Sequence, residues 1–104
     1  QIDIAKKNAH CHKCILTGHN AWFDLSFLNA AIHRNNINNN PFHKFTCFDT
    51  ATLCGINYGK TVLHNAAKAA GITFDQNSSH SAIYDAQKTA ELFCIIANKW
   101  NNKN

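Results

Sequence analysis

Residues 80–100 read His80-Ser81-Ala82-Ile83-Tyr84-Asp85-Ala86-Gln87-Lys88-Thr89-Ala90-Glu91-Leu92-Phe93-Cys94-Ile95-Ile96-Ala97-Asn98-Lys99-Trp100. Ile83, Ala86, Ala90, Phe93, Ala97 and Trp100 recur at three- and four-residue steps, which predicts one helix over about Ala82–Trp100 with these six as its buried stripe. Tyr84, Gln87, Lys88, Glu91, Asn98 and Lys99 form its polar face. At roughly 100° per residue, Asp85 falls in line with Leu92 and Ile96, away from the charged side. A carboxylate turned inward is costly unless it is paired, hydrogen-bonded or bound to a cation. Two assignments fit it: a first-turn acid favoured by the helix N-terminus, or a functional carboxylate.

A second acid bears on that choice. In His19-Asn20-Ala21-Trp22-Phe23-Asp24, Asn20 is read as an N-cap, and Asp24 then shares a face with Phe27, Leu28, Ala31 and Ile32 of the helix that follows. Two helices thus each carry one acid on the side meant for the core. Mg²⁺ takes oxygen ligands, and pairs of such ions are held by clustered carboxylates in phosphoryl-transfer sites. His80, just ahead of its helix, is placed to move a proton near neutral pH.

The rest of the chain supplies an α/β frame. The expected order is a helix near Ile2–Asn8, a strand at Cys14–Thr17, a helix to about Arg34, an Asn-rich loop to Pro41 and a strand at Phe45–Phe48. Helices near Ala51–Gly55, Val62–Ala70 and Ala82–Trp100 follow. Gly55, Gly59 and Gly71 are read as helix-end punctuation, and Asp49 as the cap of the helix after the second strand. Short strands alternating with helices indicate an α/β layer, and 104 residues set one domain, 1–104.

Three runs together resemble a known family. His19-Asn20-Ala21-Trp22-Phe23-Asp24, Asn40-Pro41-Phe42-His43-Lys44-Phe45-Thr46-Cys47-Phe48-Asp49-Thr50 and His80-Ser81-Ala82-Ile83-Tyr84-Asp85 resemble, in order and spacing, the ribonuclease T family. These are 3′→5′ exoribonucleases of the DEDD superfamily, in its histidine branch. The likeness covers roughly Cys14 to Trp100. It implies a ribonuclease H-like exonuclease fold with a mixed sheet flanked by helices. It also implies that Asp24 and Asp85, from the second and third exonuclease motifs, help hold two Mg²⁺ ions, Mn²⁺ being possible. His80 matches the general base that activates the attacking water. A tyrosine-branch relative would have tyrosine where Ser81 stands, and Tyr84 is too close to Asp85 to replace it.

The resemblance also puts Phe23, Phe45 and Asn20 at the substrate, the two rings stacking on terminal bases of a single-stranded 3′ end. Read from the residues alone, the same rings would serve in core packing. The implied substrates are transfer RNA and other stable RNAs with single-stranded 3′ ends, and the implied assembly is a homodimer. Two other readings stay open: a DNA-directed DEDD exonuclease of the proofreading type, with the same chemistry at Asp24, His80 and Asp85, and a non-catalytic remnant that binds RNA.

One family element has no counterpart. The first motif, Asp-x-Glu, supplies the other two acidic ligands, and the six acids here are Asp3, Asp24, Asp49, Asp75, Asp85 and Glu91. Asp3 is followed by Ile4 and Ala5, and Asp75 lies beside Gln76, Asn77 and Ser78, where a turn residue is expected. The chain opens on Gln1, which suggests the C-terminal part of an exonuclease domain, inactive when isolated.

Composition suits a polyanionic partner. The formal charge is +4 with seven further histidines, and the isoelectric point is near 8.9. Lys6, Lys7, Lys13, Arg34 and Lys44 are the candidate phosphate contacts, each equally readable as a solvated surface charge. Five cysteines, an odd number without a secretory leader, suit a reducing cytoplasm. No apolar run approaches the ~20 residues needed to cross a bilayer, so no membrane partner is expected. His10-Cys11-His12-Lys13-Cys14 gathers soft ligands, but zinc sites draw on a second, separated pair, and none follows at such spacing.

Overall fold

Gly18 and Asp49 end two strands that lie side by side, and the helices that start just beyond them build the rest of the molecule. The computed structural model describes residues 1–78 and 81–103. In chain order these form α1 (Ile2–Asn8), β1 (Cys14–Gly18), α2 (Ala21–Arg34), β2 (Phe42–Asp49), α3 (Thr50–Tyr58), α4 (Leu63–Ala69), a 3₁₀ turn (Gln76–Ser78) and α5 (Ala82–Lys103). This is the α/β layer the residues predict. Three boundaries move by more than a residue: β2 starts three residues earlier than expected, α3 runs past Gly55, which lies inside the helix, and α5 continues three residues past Trp100. Gly59 does end α3, at φ 67°, and Gly71 follows α4 at φ 82°, conformations that favour glycine.

The strands pair in parallel, which needs a crossover, and α2 supplies it. The sheet among the described residues is this one parallel pair, where the resemblance implies a mixed sheet. Its register jumps from Cys14↔Phe42 to Leu16↔Cys47 and then runs evenly to Gly18↔Asp49. β2 therefore carries extra residues between Phe42 and Cys47, and the bulge turns Phe45 outward, 82 % exposed. Nδ1 of His43 steadies the bulge by accepting the backbone N–H groups of Phe45 and Thr46 at 3.4 and 3.2 Å. Asn29 of α2 donates to the Lys44 carbonyl at 2.9 Å.

The core lies between α3, α4 and α5. Cys54, Ala66, Leu92 and Ile96 are its buried members, with Leu53, Tyr58, Leu63, Ala70 and Ile72 packed around them. Burial, and secondarily the charge of Asp49, pushes the Cys54 thiol up, so it stays protonated and behaves as a small apolar residue.

The buried face of α5 is not the stripe the periodicity suggests. Ile83 and Trp100 are 72 % and 52 % exposed, Ala86 and Ala90 are exposed, and Phe93 and Ala97 are half-buried. The face turned to the core is Thr89, Leu92 and Ile96, one turn apart and in line with Asp85. α5 has apolar residues around most of its girth, and α3 and α4 select which of them are covered.

The accessible surface is 7521 Å², against roughly 5,800 Å² for a compact protein of this mass. Much of the excess is apolar: Trp22, Phe23, Phe27, Phe45, Ile83 and Trp100 all stand exposed. A two-stranded sheet is marginal by itself, and helices α2 and α5 supply the packing β1 and β2 need. No helix among the described residues is long and apolar enough to cross a membrane.

Candidate functional site

The C-terminal end of β1 opens onto a cleft of about 660 Å³ between α2 and α5. Thr17, Gly18 and His19 form its floor, Asp24 comes from α2, and Asp85 and Thr89 come from α5. Two acids 61 positions apart in sequence are thereby brought to one concavity.

Asp85 is held there by the first turn of α5. Ser81 begins that turn, its Oγ accepting the Tyr84 N–H at 3.3 Å, while the Asp85 N–H reaches the Ser81 carbonyl at 3.0 Å. The residue points inward as its helical position predicts. Its Oδ1 is buried and has no hydrogen-bond partner among the described residues. The ion pairs among the described residues are Lys6–Asp3 and Lys88–Glu91, and neither includes a cleft acid.

Asp24 departs from its expected setting. It is exposed rather than facing the core, because the residues of α2 that become buried are Ala21 and Leu25, and Phe27 beside it is exposed too. Asp24 instead faces the cleft. Its Oδ2 lies so close over Gly18 that a Cβ there would stand 3.2 Å away.

The cap of α2 also differs from expectation. Asn20 occupies the N-cap position in the left-handed region, φ 62°, and its side chain makes no capping bond. The job falls to Asp49, whose Oδ1 accepts the Asn20 and Ala21 N–H groups at 2.6 and 3.1 Å. Its Oδ2 accepts the Thr52 N–H at 3.1 Å and the Thr52 hydroxyl at 2.6 Å, capping α3 as the sequence predicts. Burial alone would raise the Asp49 pKa. The bonds from the Thr52 hydroxyl and from the backbone of Ala21, Thr52 and Asn20 outweigh it and hold the carboxyl below the usual range.

His19 completes this corner. Nδ1 lies 2.8 Å from the hydroxyl of fully buried Thr50, and Nε2 meets the Thr61 carbonyl. The neutral ring is satisfied when Nε2–H donates to Thr61 and Nδ1 accepts from Thr50. Sequence reasoning passed over this histidine, because its partners lie 31 and 42 positions away.

Phe23 is 53 % exposed and Phe45 more so, which removes core packing as their role. Phe23 lies edge-to-face with both Trp22 and Phe27, at 5.7 and 4.8 Å between ring centroids. The Lys44 ammonium stands 5.6 Å from the Phe45 ring centre, a cation beside an exposed aromatic. Lys13 donates to the Asn40 carbonyl at 2.9 Å and Lys6 pairs with Asp3 at 3.3 Å. The Tyr84 hydroxyl is engaged by the Asp75 N–H at 2.6 Å. His80, the expected general base, lies outside the described residues.

The donor chemistry fits a hard divalent cation. Asp85 Oδ1 is a buried carboxylate oxygen left without a partner, and Asp24 adds carboxylate oxygens on the opposite wall of the same cleft. No group of three His, Cys, Asp or Glu converges among the described residues. The two cleft acids by themselves fall short of such a group, and the His10–Cys14 cluster does not assemble into one among the described residues.

Comparison with known proteins bears on the family of the chain. A family described as exonuclease matches residues 5–93. The chain is 54 % identical over 100 residues to the ribonuclease T of Shewanella frigidimarina, covering 96 % of this chain and 45 % of that protein. It is 56 % identical over 99 residues to ribonuclease T of Shewanella denitrificans, covering 95 % and 44 %. With ribonuclease T of Buchnera aphidicola subsp. Baizongia pistaciae it shares 58 % over 94 residues, 90 % of this chain and 43 % of that one. The chain spans a little under half the length of these curated relatives.

Proposed function

This chain belongs to the exonuclease family, and from that premise we propose that it carries the second and third acidic motifs of a 3′→5′ exoribonuclease acting on single-stranded 3′ ends, those of transfer RNA among them. The observation that carries the reading is the unpartnered buried oxygen of Asp85, facing a cleft that Asp24 lines from the other side.

In this reading Asp24 and Asp85 hold divalent cations, Mg²⁺ or Mn²⁺, at the cleft. Such ions supply Lewis-acid activation of water and charge neutralisation at the phosphate. His80 takes the proton from the attacking water, a task suited to imidazole near neutral pH. Phe23 and Phe45 stack on the last bases, with Asn20 beside them, and Lys44 meets the phosphates. Stacking of this kind tolerates any sequence, as trimming of varied 3′ ends requires. The cytoplasm and a homodimer complete the proposal.

Two carboxylates are half of a four-carboxylate site. The isolated 104-residue chain is accordingly expected to bind Mg²⁺ weakly and to release no nucleotides from RNA.

The test uses the complete gene product and a 5′-labelled single-stranded RNA with Mg²⁺. Stepwise shortening from the 3′ end is expected. Asp24→Ala, Asp85→Ala and His80→Ala should each lower kcat by orders of magnitude while largely sparing RNA binding. Undiminished turnover in the Asp85→Ala protein would overturn the reading, and preferential trimming of a competing DNA strand would move it to a DNA-directed exonuclease.

A further inference from the structure

Asp49 sits on neither wall of the cleft, yet it joins the two helix starts that set the cleft's geometry. We infer that Asp49 is a positioning residue for Asp24: one carboxylate caps α2 and α3 together and so fixes where Asp24 is presented. The inference rests on the reading of Asp24 as a ligand.

A helix leaves its first N–H groups without intrahelical partners, and a side-chain oxygen usually takes one or two of them. α2 lacks that help from its own cap, since the Asn20 side chain makes no capping bond. Its Asn20 and Ala21 N–H groups go instead to Asp49 Oδ1, across 29 and 28 positions of sequence. The other oxygen is occupied by Thr52. Each oxygen thus serves a different helix, and the rigid carboxylate fixes the spacing of α2 from α3.

Asp24 stands one turn into α2, and its Oδ2 lies over the bare backbone of Gly18, where a Cβ would stand 3.2 Å away. The strand end is set from the same corner, for Thr50, next to Asp49, lies 3.3 Å from the Gly18 carbonyl and 2.8 Å from His19. A small rotation of α2 would move the Asp24 carboxylate against Gly18 or away from Asp85. The other anchors of α2 lie along its length, in its packing on β1 and β2 and the Asn29 bond to the Lys44 carbonyl, whereas the Asp49 bonds hold its first turn, where Asp24 stands.

Serine separates the two duties of Asp49. It is a good N-cap and can still accept the Thr52 N–H, but its hydroxyl is too short to reach Asn20 and Ala21 as well. In the complete gene product, Asp49→Ser is expected to weaken Mn²⁺ binding, read by electron paramagnetic resonance of the free ion, by about tenfold. Turnover of a single-stranded RNA oligonucleotide should fall by a similar factor with its KM within about twofold, since the stacking rings are untouched. Thr52→Val, which spares the α2 bonds, should leave Mn²⁺ binding unchanged. Asp49→Asn, with one acceptor oxygen remaining, is measured alongside and carries the test if the serine protein does not fold.

Mn²⁺ binding equal to wild type in Asp49→Ser, or in Asp49→Asn where that carries the test, would overturn the inference, and so would an equal loss in Thr52→Val. Asp24→Ala is the control. Loss of binding there with none in the Asp49 protein removes only the positioning role, whereas normal binding in Asp24→Ala removes the assignment of Asp24 as a ligand and this inference with it.

Discussion

Gly18 leaves Asp24 a space that a side chain would take away: a Cβ on Gly18 would stand 3.2 Å from Asp24 Oδ2 and 3.5 Å from the Cβ of Ala21. Gly18 is not among the glycines at positive φ, so alanine can adopt its backbone. Its methyl group would displace the exposed Asp24 carboxylate rather than the buried Ala21. Gly18→Ala should therefore keep the fold, with a melting temperature within a few degrees of wild type, yet reduce RNA turnover in the complete gene product about 10- to 100-fold. Full activity in the alanine protein would show that Asp24 tolerates displacement.

Asp85 opposes folding in the absence of a cation. Its unpartnered buried oxygen costs about 1–3 kcal/mol, while an acid in the first turn of a helix gains only about 0.3–1 kcal/mol. Asp85→Ala is expected to stabilise the metal-free protein by about 1 kcal/mol in urea unfolding while abolishing activity. A loss of stability on that substitution would mean that the oxygen has a partner after all.

The covered face of α5 can be tested by two truncations. Leu92 is fully buried, and Leu92→Ala should cost about 2–5 kcal/mol. Trp100→Ala, at a half-exposed position, should cost under about 0.5 kcal/mol despite the larger side chain. Equal effects in denaturant unfolding would restore the stripe that periodicity alone suggests.

Phe45 contributes little to the fold, projecting from the β2 bulge with most of its ring in solvent. Phe45→Ala should change stability by less than about 0.5 kcal/mol but weaken binding of single-stranded RNA by about 1–3 kcal/mol, measured by fluorescence anisotropy. Unchanged affinity would separate Phe45 from the substrate.

Asp49 makes folding sensitive to acid. Its folded pKa lies below the ordinary carboxylate value, so its contribution is fully present above about pH 4 and is lost as pH falls through the folded pKa. Wild type should lose stability over that interval more steeply than Asp49→Ser in urea midpoints measured from pH 6 down to 2. Parallel curves for the two proteins would show that the carboxylate is not specially stabilised.

Much of the layout is written locally. Helix and strand order, the cap at Asp49, the glycine ends of α3 and α4 and the inward turn of Asp85 all follow from residues within a turn or two of one another. The three motifs that point to the exonuclease family are likewise contiguous runs, legible without coordinates.

What the tertiary structure alone decided are the relations that depend on which surfaces meet. The residues around α5 permitted more than one buried face, and α3 and α4 chose the line through Thr89, Leu92 and Ile96. Asp24 looked like a core-side residue by helical position, and it faces a cleft because α2 buries only its Ala21–Leu25 edge. That Asp49 caps a helix from 29 positions away, or that His19 meets Thr61, has no local signature. Side-chain periodicity records where a residue sits on its own element; which neighbour covers it is set by packing between distant segments.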